Sequence, residues 1–158
     1  MLSKKIREGP INVLLVEDNP SHAELIMRSL EEHPVSSRIT HLSDGEAALD
    51  FLFARGSYQP SDRHFRPHLV LLDLRLPKID GFEVLREIRT SKTMDTMPVI
   101  VLTTSQADAD VCRAYEHRAN SYLVKPLDFD EFSGLMKDLG YYWLSRNHLP
   151  DQASSATG

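Results

Sequence analysis

Two adjacent acids (Glu17-Asp18), one isolated acid (Asp73), a hydroxyl (Thr103) and an amine (Lys125) each close an apolar run of this chain. Carboxylates drawn together raise one another's pKa and strain the fold unless a cation sits among them. An all-oxygen set suits a hard cation, and Mg²⁺ fits best because it keeps several waters and takes only one or two carboxylates. Adding a hydroxyl and an ammonium makes a site for a phosphoryl group. The metal and Lys125 neutralise its charge, and Thr103 donates a hydrogen bond to one of its oxygens. A carboxylate can itself be the nucleophile, as in aspartyl-phosphate chemistry. Asp73 suits that role because it stands alone, whereas Glu17 and Asp18 form the pair suited to the metal.

Such a site requires the residues to meet at one edge of a sheet. The run Leu69-Val70-Leu71-Leu72 before Asp73 is continuously apolar, as in a strand covered on both faces. Residues 11–16 (INVLLV), 38–42, 97–103 and 120–124 read as four more strands. Between them lie helical patterns. Asn19-Pro20 is a cap with proline at the first helical position, and His33-Pro34 is a stop. Ser43-Asp44-Gly45 and Asp80-Gly81 open two helices. Ser105-x-x-Asp108 reads as a capping box for the next, and Asp128-x-x-Glu131 caps the last. This βα alternation implies a doubly wound parallel sheet with helices on both faces. If the first and third strands are neighbours across the switch point, the three carboxylates converge. Residues 1–10 read as a flexible lead-in, 11–146 as the single domain, and 147–158 as a disordered tail. Arg55–Pro67 is a long surface excursion.

With 158 residues, 41% of them hydrophobic, the chain can bury the core of one globular domain. Lys and Arg total 18 against 23 Asp and Glu, a net charge of -5, which argues against a nucleic-acid partner. One cysteine, Cys112, excludes an internal disulfide and a multi-cysteine zinc site. Residues 1–10 are charged and lack the apolar centre of a signal peptide. No apolar stretch is long enough to cross a membrane. The expected location is the cytoplasm, with no membrane association.

Glu17-Asp18, Asp73 with Pro77 four residues on, Thr103, Tyr122 and Lys125-Pro126 together resemble the receiver domain of two-component response regulators, over about residues 11–144. The resemblance implies a flavodoxin-like, five-stranded fold in strand order 2-1-3-4-5. It implies that Asp73 takes a phosphoryl group from a phosphohistidine on a sensor histidine kinase. Mg²⁺ would be held by Asp18, Asp73 and the backbone carbonyl of Arg75, with Glu17 acting through water. Thr103 and Tyr122 would form the switch pair, and the Lys125-Pro126 bond would be cis. More narrowly, the Arg55–Pro67 loop, the VLTTS run at 101–105 and the aromatic last helix resemble small stand-alone regulators paired with phytochrome-type histidine kinases. The expected role is a signalling protein that assists its own phosphorylation and dephosphorylation, not an enzyme acting on a separate substrate.

Three residues depart from the family pattern. Glu17 stands where Asp is more usual, and Thr104 where a smaller residue is frequent. Arg75 has two open roles: shielding an acyl phosphate, or binding another part of the molecule. A haloacid-dehalogenase-like phosphohydrolase also uses a strand-end Asp with Mg²⁺, but it needs a second Asp where Arg75 stands. A flavodoxin needs a Ser/Thr/Gly-rich loop in place of Glu17-Asp18-Asn19-Pro20, and a pseudo-receiver would lack part of the acidic set. The seven histidines show no metal-ligand spacing and read as surface residues, and His22 is assigned no role. Tyr141-Tyr142-Trp143 cannot all face one core, since successive helical residues lie about 100° apart. At least one should be exposed or covered by a partner, and a homodimer through the fourth helix, fifth strand and fifth helix is expected.

Overall fold

A computed structural model describes residues 9–58 and 66–150. Five strands alternate with five helices: β1 (Ile11–Val16), α1 (Pro20–Glu31), β2 (Ser37–Leu42), α2 (Gly45–Leu52), β3 (Leu69–Leu72), α3 (Gly81–Thr90), β4 (Val99–Thr103), α4 (Asp108–Glu116), β5 (Ser121–Val124) and α5 (Phe129–Gly140). The strands form one sheet in the order β2-β1-β3-β4-β5, all parallel. This is the expected flavodoxin-like order. No helix among the described residues is long and apolar enough to cross a membrane.

Helices on both faces explain why the central strands do not alternate in polarity. Leu14 and Val16 face one core, shared with Val70, Leu72, Phe82 and Leu85. Val13 and Leu15 face the other, with Ile26, Leu69, Leu71 and Phe132. The register Leu15↔Leu71, Val16↔Leu72 sets the last residues of β1 and β3 side by side, so the acids that follow both strands leave the sheet at one level.

Side-chain caps set most helix starts. Asn19 accepts from the backbone N–H groups of Ser21 and His22, Asp44 from Ala47, Asp80 from Glu83 and Asp128 from Glu131. Each is worth about 1 kcal/mol. The expected Ser105–Asp108 box does not form. The helix begins one residue after Ala107, and the Ser105 hydroxyl instead accepts from the Ala107 N–H and donates to Asp110. Gly81 lets α3 start against the end of β3: a Cβ there would stand 2.2 Å from the carbonyl oxygen of Asp73.

After Gly140 the last helix passes into a π-helical turn over Tyr141–Arg146, closed by the Asn147 N–H on the carbonyl of Tyr142. Of the three aromatics, Tyr141 and Tyr142 are exposed, while Trp143 packs beside the core. The chain then turns back and buries Leu144 and Leu149 with α1 and α5 residues. Ordered packing therefore passes the boundary expected at Arg146, because Leu149 has an apolar surface to cover. Residues 151–158 of the expected tail, 1–8 of the lead-in and 59–65 of the long loop lie outside the described residues.

Candidate functional site

The first residue after each site strand extends the ladder by one bond, which fixes where its side chain leaves. The Asp73 N–H donates to the Val16 carbonyl, that of Glu17 to Leu42, and that of Lys125 to Thr103. Among the described residues the buried polar or charged side chains are Glu17, Asp73, Thr103, Lys125 and Arg89, and the first four end strands at this one edge.

At the centre is the Lys125 ammonium, with its residue only 3% exposed. It donates to Glu17 Oε2 at 2.6 Å and to Asp73 Oδ2 at 3.0 Å. Glu17, Asp18 and Asp73 each present a carboxylate oxygen within 4.8 Å of the others, Asp18 from the solvent side. Burial pushes the Glu17 carboxyl up to about 7; the bond from Lys125 opposes that rise and the nearby Asp73 charge adds to it. Three crowded carboxylates offering oxygen alone fit a hard divalent cation, which would relieve their repulsion. The longer Glu17 side chain thus brings its carboxylate to the others and to Lys125.

Thr103 is fully buried, and its Oγ1 accepts from the Ser105 N–H at 3.4 Å. The Tyr122 hydroxyl donates to the Ser105 carbonyl at 3.0 Å, and burial raises the pKa of this phenol. Arg75 resolves the choice left open by the sequence. Its backbone N–H faces Asp73 Oδ1 at 3.4 Å, but its guanidinium turns away to Asp110 Oδ2 at 2.7 Å. Ser105 Oγ donates to that same oxygen at 2.5 Å. Thr104 is exposed at the rim. Glu17, Asp18, Asp73 and Lys125 are thus brought together, while Thr103, Arg75 and Tyr122 line the β4–α4 side.

Two of the sequence expectations fail here. The Lys125-Pro126 bond is trans, as every peptide bond is among the described residues. An X–Pro amide favours trans by about 0.5–1 kcal/mol, and Lys125 reaches both carboxylates from that isomer. Nor are the histidines all surface residues. His22 Nδ1 lies 3.2 Å from Lys125 Nζ, and its ring packs against Phe132. Burial, and then Lys125, lower its pKa. His41 Nε2 meets the Glu17 carbonyl at 2.8 Å, and His68 Nδ1 accepts from the Asn12 N–H. Pattern reading sought clustered metal ligands, whereas these rings act singly on groups distant in sequence. The position of His22 in the first turn after Glu17-Asp18 was the available signal.

The model of the response regulator receiver domain matches residues 13–137. A probable methanogenesis regulatory protein, FilR2 of Methanothrix harundinacea, is 47% identical over 92% of both chains. Response regulator Rcp1 of Synechocystis is 38% identical over 89% of this chain and 94% of its own. The crystal structure of Mn²⁺-bound Rcp1 superposes with a TM-score of 0.84, covering 89% of this chain and 99% of that one. That of the phosphorylated cyanobacterial phytochrome response regulator RcpA gives 0.84 at 35% identity, over 90% and 99%. Nothing in these matches favours the phosphohydrolase reading. Sheet order, acidic edge and family match agree, and the chain belongs to the response regulator receiver domain family.

Proposed function

We propose that Asp73 accepts a phosphoryl group from a phosphohistidine of a sensor kinase, and that the protein signals through the resulting change of shape. A carboxylate oxygen of Asp73 forms the new O–P bond as the P–N bond breaks, and the electron pair leaves with the imidazole. Lys125 moves from the bare carboxylate to a phosphoryl oxygen and holds its charge. Asp18, Asp73 and the Arg75 carbonyl, with Glu17 through water, would hold Mg²⁺, which supplies further neutralisation of the transferring group. The carrying observation is the Lys125 ammonium bridging the buried Glu17 and Asp73, with Asp18 completing the acidic trio from the solvent side.

In the switch, the Thr103 hydroxyl gives up the Ser105 N–H and turns to the phosphoryl group. Ser105 is also the partner of Tyr122, so the β4–α4 loop and Tyr122 respond together. The output surface is the α4-β5-α5 face, used by a homodimer. Exposed Tyr115 on α4 and the exposed pair Tyr141-Tyr142 after α5 support this. Leu127 and Phe129, both exposed just past Lys125, offer the kinase an apolar rim beside the acceptor. RcpA is described as a phytochrome response regulator, which supports a phytochrome-type kinase as the donor. Cytoplasmic location follows from that supply route.

The test is incubation with acetyl phosphate and Mg²⁺, followed by intact-mass spectrometry. One phosphoryl group, released by hydroxylamine, is expected on the wild type and none on Asp73→Asn. Label surviving in Asp73→Asn overturns the acceptor assignment. A sedimentation coefficient that stays monomeric at all concentrations, with and without phosphorylation, overturns the homodimer.

A further inference from the structure

An ammonium has three N–H donors and no acceptor. Lys125 uses two of them on Glu17 and Asp73, and the third direction is met by Nδ1 of His22 at 3.2 Å. Because the lysine can only donate, Nδ1 must present its lone pair, which places the ring proton on Nε2. The ring is held from two sides. Its backbone N–H is anchored on the Asn19 cap, and its face leans on Phe132 of α5 with centroids 5.5 Å apart. His22 thus joins the first turn of α1 to the cation of the pocket, across 103 residues of sequence.

We propose that His22 is a positioning residue for phosphoryl transfer, holding the Lys125 ammonium against the acceptor carboxylate through Nδ1. The inference rests on the reading of Asp73 as acceptor. Its physical content concerns what stays constant during the reaction. Asp73 Oδ2 changes from a free carboxylate oxygen to part of an acyl phosphate, and Glu17 is shared with whatever cation the trio holds. Of the three acceptors on Lys125, His22 alone is not a carboxylate and lies outside the acidic trio. It therefore keeps one N–H direction fixed while the other two partners change. Without it the ammonium has one donor unsatisfied in a buried site, and its best remaining position lies between the two carboxylates, away from an incoming phosphoryl oxygen.

Two variants separate the acceptor from the ring. His22→Phe keeps a ring against Phe132 and removes the lone pair. His22→Asn loses the ring but offers Oδ1 near the position of Nδ1. Phosphorylation by saturating acetyl phosphate with Mg²⁺ should be roughly 10-fold slower in His22→Phe and within about 3-fold of wild type in His22→Asn, because one hydrogen bond to a charged group is lost in the first and kept in the second. Thermal midpoints report folding of both. Nitrogen-detected NMR of the lysine ammonium groups gives a readout independent of any phosphoryl transfer. The Lys125 signal, assigned by Lys125→Arg, should shift or broaden in His22→Phe and persist in His22→Asn. The inference is overturned if His22→Phe is phosphorylated at the wild-type rate, if the asparagine fails as badly as the phenylalanine, or if the Lys125 signal is the same in all three proteins. Labelling that fails in the wild type, or survives Asp73→Asn, would instead overturn the acceptor reading, and the ammonium signal would still decide whether His22 holds Lys125.

Discussion

Among the described residues two cations are buried, at opposite edges of the sheet, and they are solvated in opposite ways. Lys125 at the carboxyl edge is held by carboxylates and one imidazole. Arg89, from the last turn of α3, reaches the amino ends of β4 and β5 and is held by neutral dipoles. It donates to the carbonyls of Asp95, Met97 and Arg118 and to Asn120 Oδ1. Asn120 Oδ1 in turn accepts from the Val99 N–H, so the guanidinium ties together the entries of two strands. Burial and the neighbouring Arg118 pull its pKa below the usual guanidinium value, yet it stays charged at any pH the protein meets. Neutral dipoles cannot be exchanged for a metal or a phosphate. Carboxylates can, because their charge is what a metal or a new covalent bond alters. One end of the sheet is therefore a fixed clamp and the other a site whose charge state can change.

The strongest test of this contrast exchanges each cation for a methionine of similar length. Arg89→Met takes the guanidinium donor from three carbonyls and one of two donors from Asn120 Oδ1, and should cost about 4 kcal/mol in urea unfolding, while the folded protein is still phosphorylated at close to the wild-type rate. Lys125→Met should slow phosphorylation roughly 100- to 1000-fold. Its stability should fall less, because Glu17 can take up a proton once the ammonium is gone. Equal stability losses, or equal phosphorylation rates, would erase the distinction between clamp and site.

A smaller effect is expected from pH. The Glu17 carboxyl titrates near 7 in the folded protein, against 4.5 when unfolded. Between those values the folded state binds more protons, so stability from this group falls as pH rises from 4.5 to 7. The full loss is about 3 kcal/mol at most, present above pH 7 and absent below 4.5. Urea unfolding in EDTA at pH 5 and pH 8 should show it, and Glu17→Gln should flatten the difference. Excess Mg²⁺ should offset the loss at pH 8, since cation binding selects the ionised form. Arg89→Met should leave the slope unchanged; a changed slope would mean that the two edges are coupled.

Arg75→Ala should give the smallest change. The Arg75–Asp110 pair is largely exposed on the arginine side, and such pairs contribute about 1 kcal/mol or less. Its loss leaves Asp110 bonded to Ser105, so unfolding should barely move. The lifetime of the phosphorylated protein, followed by intact mass, is the sharper measure. A guanidinium engaged with Asp110 does not shield the acyl phosphate, so the variant should lose its phosphoryl group at close to the wild-type rate. A several-fold faster loss would return Arg75 to the site.

The acidic edge was readable because its signals are local. An apolar run ends in Asp73, another in Glu17-Asp18, a third in Lys125; parallel pairing sets Glu17 level with Asp73 and brings the end of the third run out at the same edge, two residues further on. The helix caps at Asn19, Asp44, Asp80 and Asp128 were readable for the same reason, each being a contact over two or three residues. Ser105 misled because a hydroxyl near a helix start has several partners within reach, and Asp110 won it. The burial of Leu149 was hidden by its polar neighbours, since one leucine in such a stretch carries no period.

The alternation of strands and helices, the residues that end the strands and most of the helix starts were determined by the sequence alone, because period and capping are short-range rules; the order 2-1-3-4-5 was legible only through the family resemblance. The tertiary structure decided which partner each polar side chain takes. It set His22 on Lys125, turned Arg75 to Asp110, left Lys125-Pro126 trans and closed four acceptors around Arg89. Those pairings join residues tens of positions apart, and competition among several possible partners is settled only when the packed core fixes their distances.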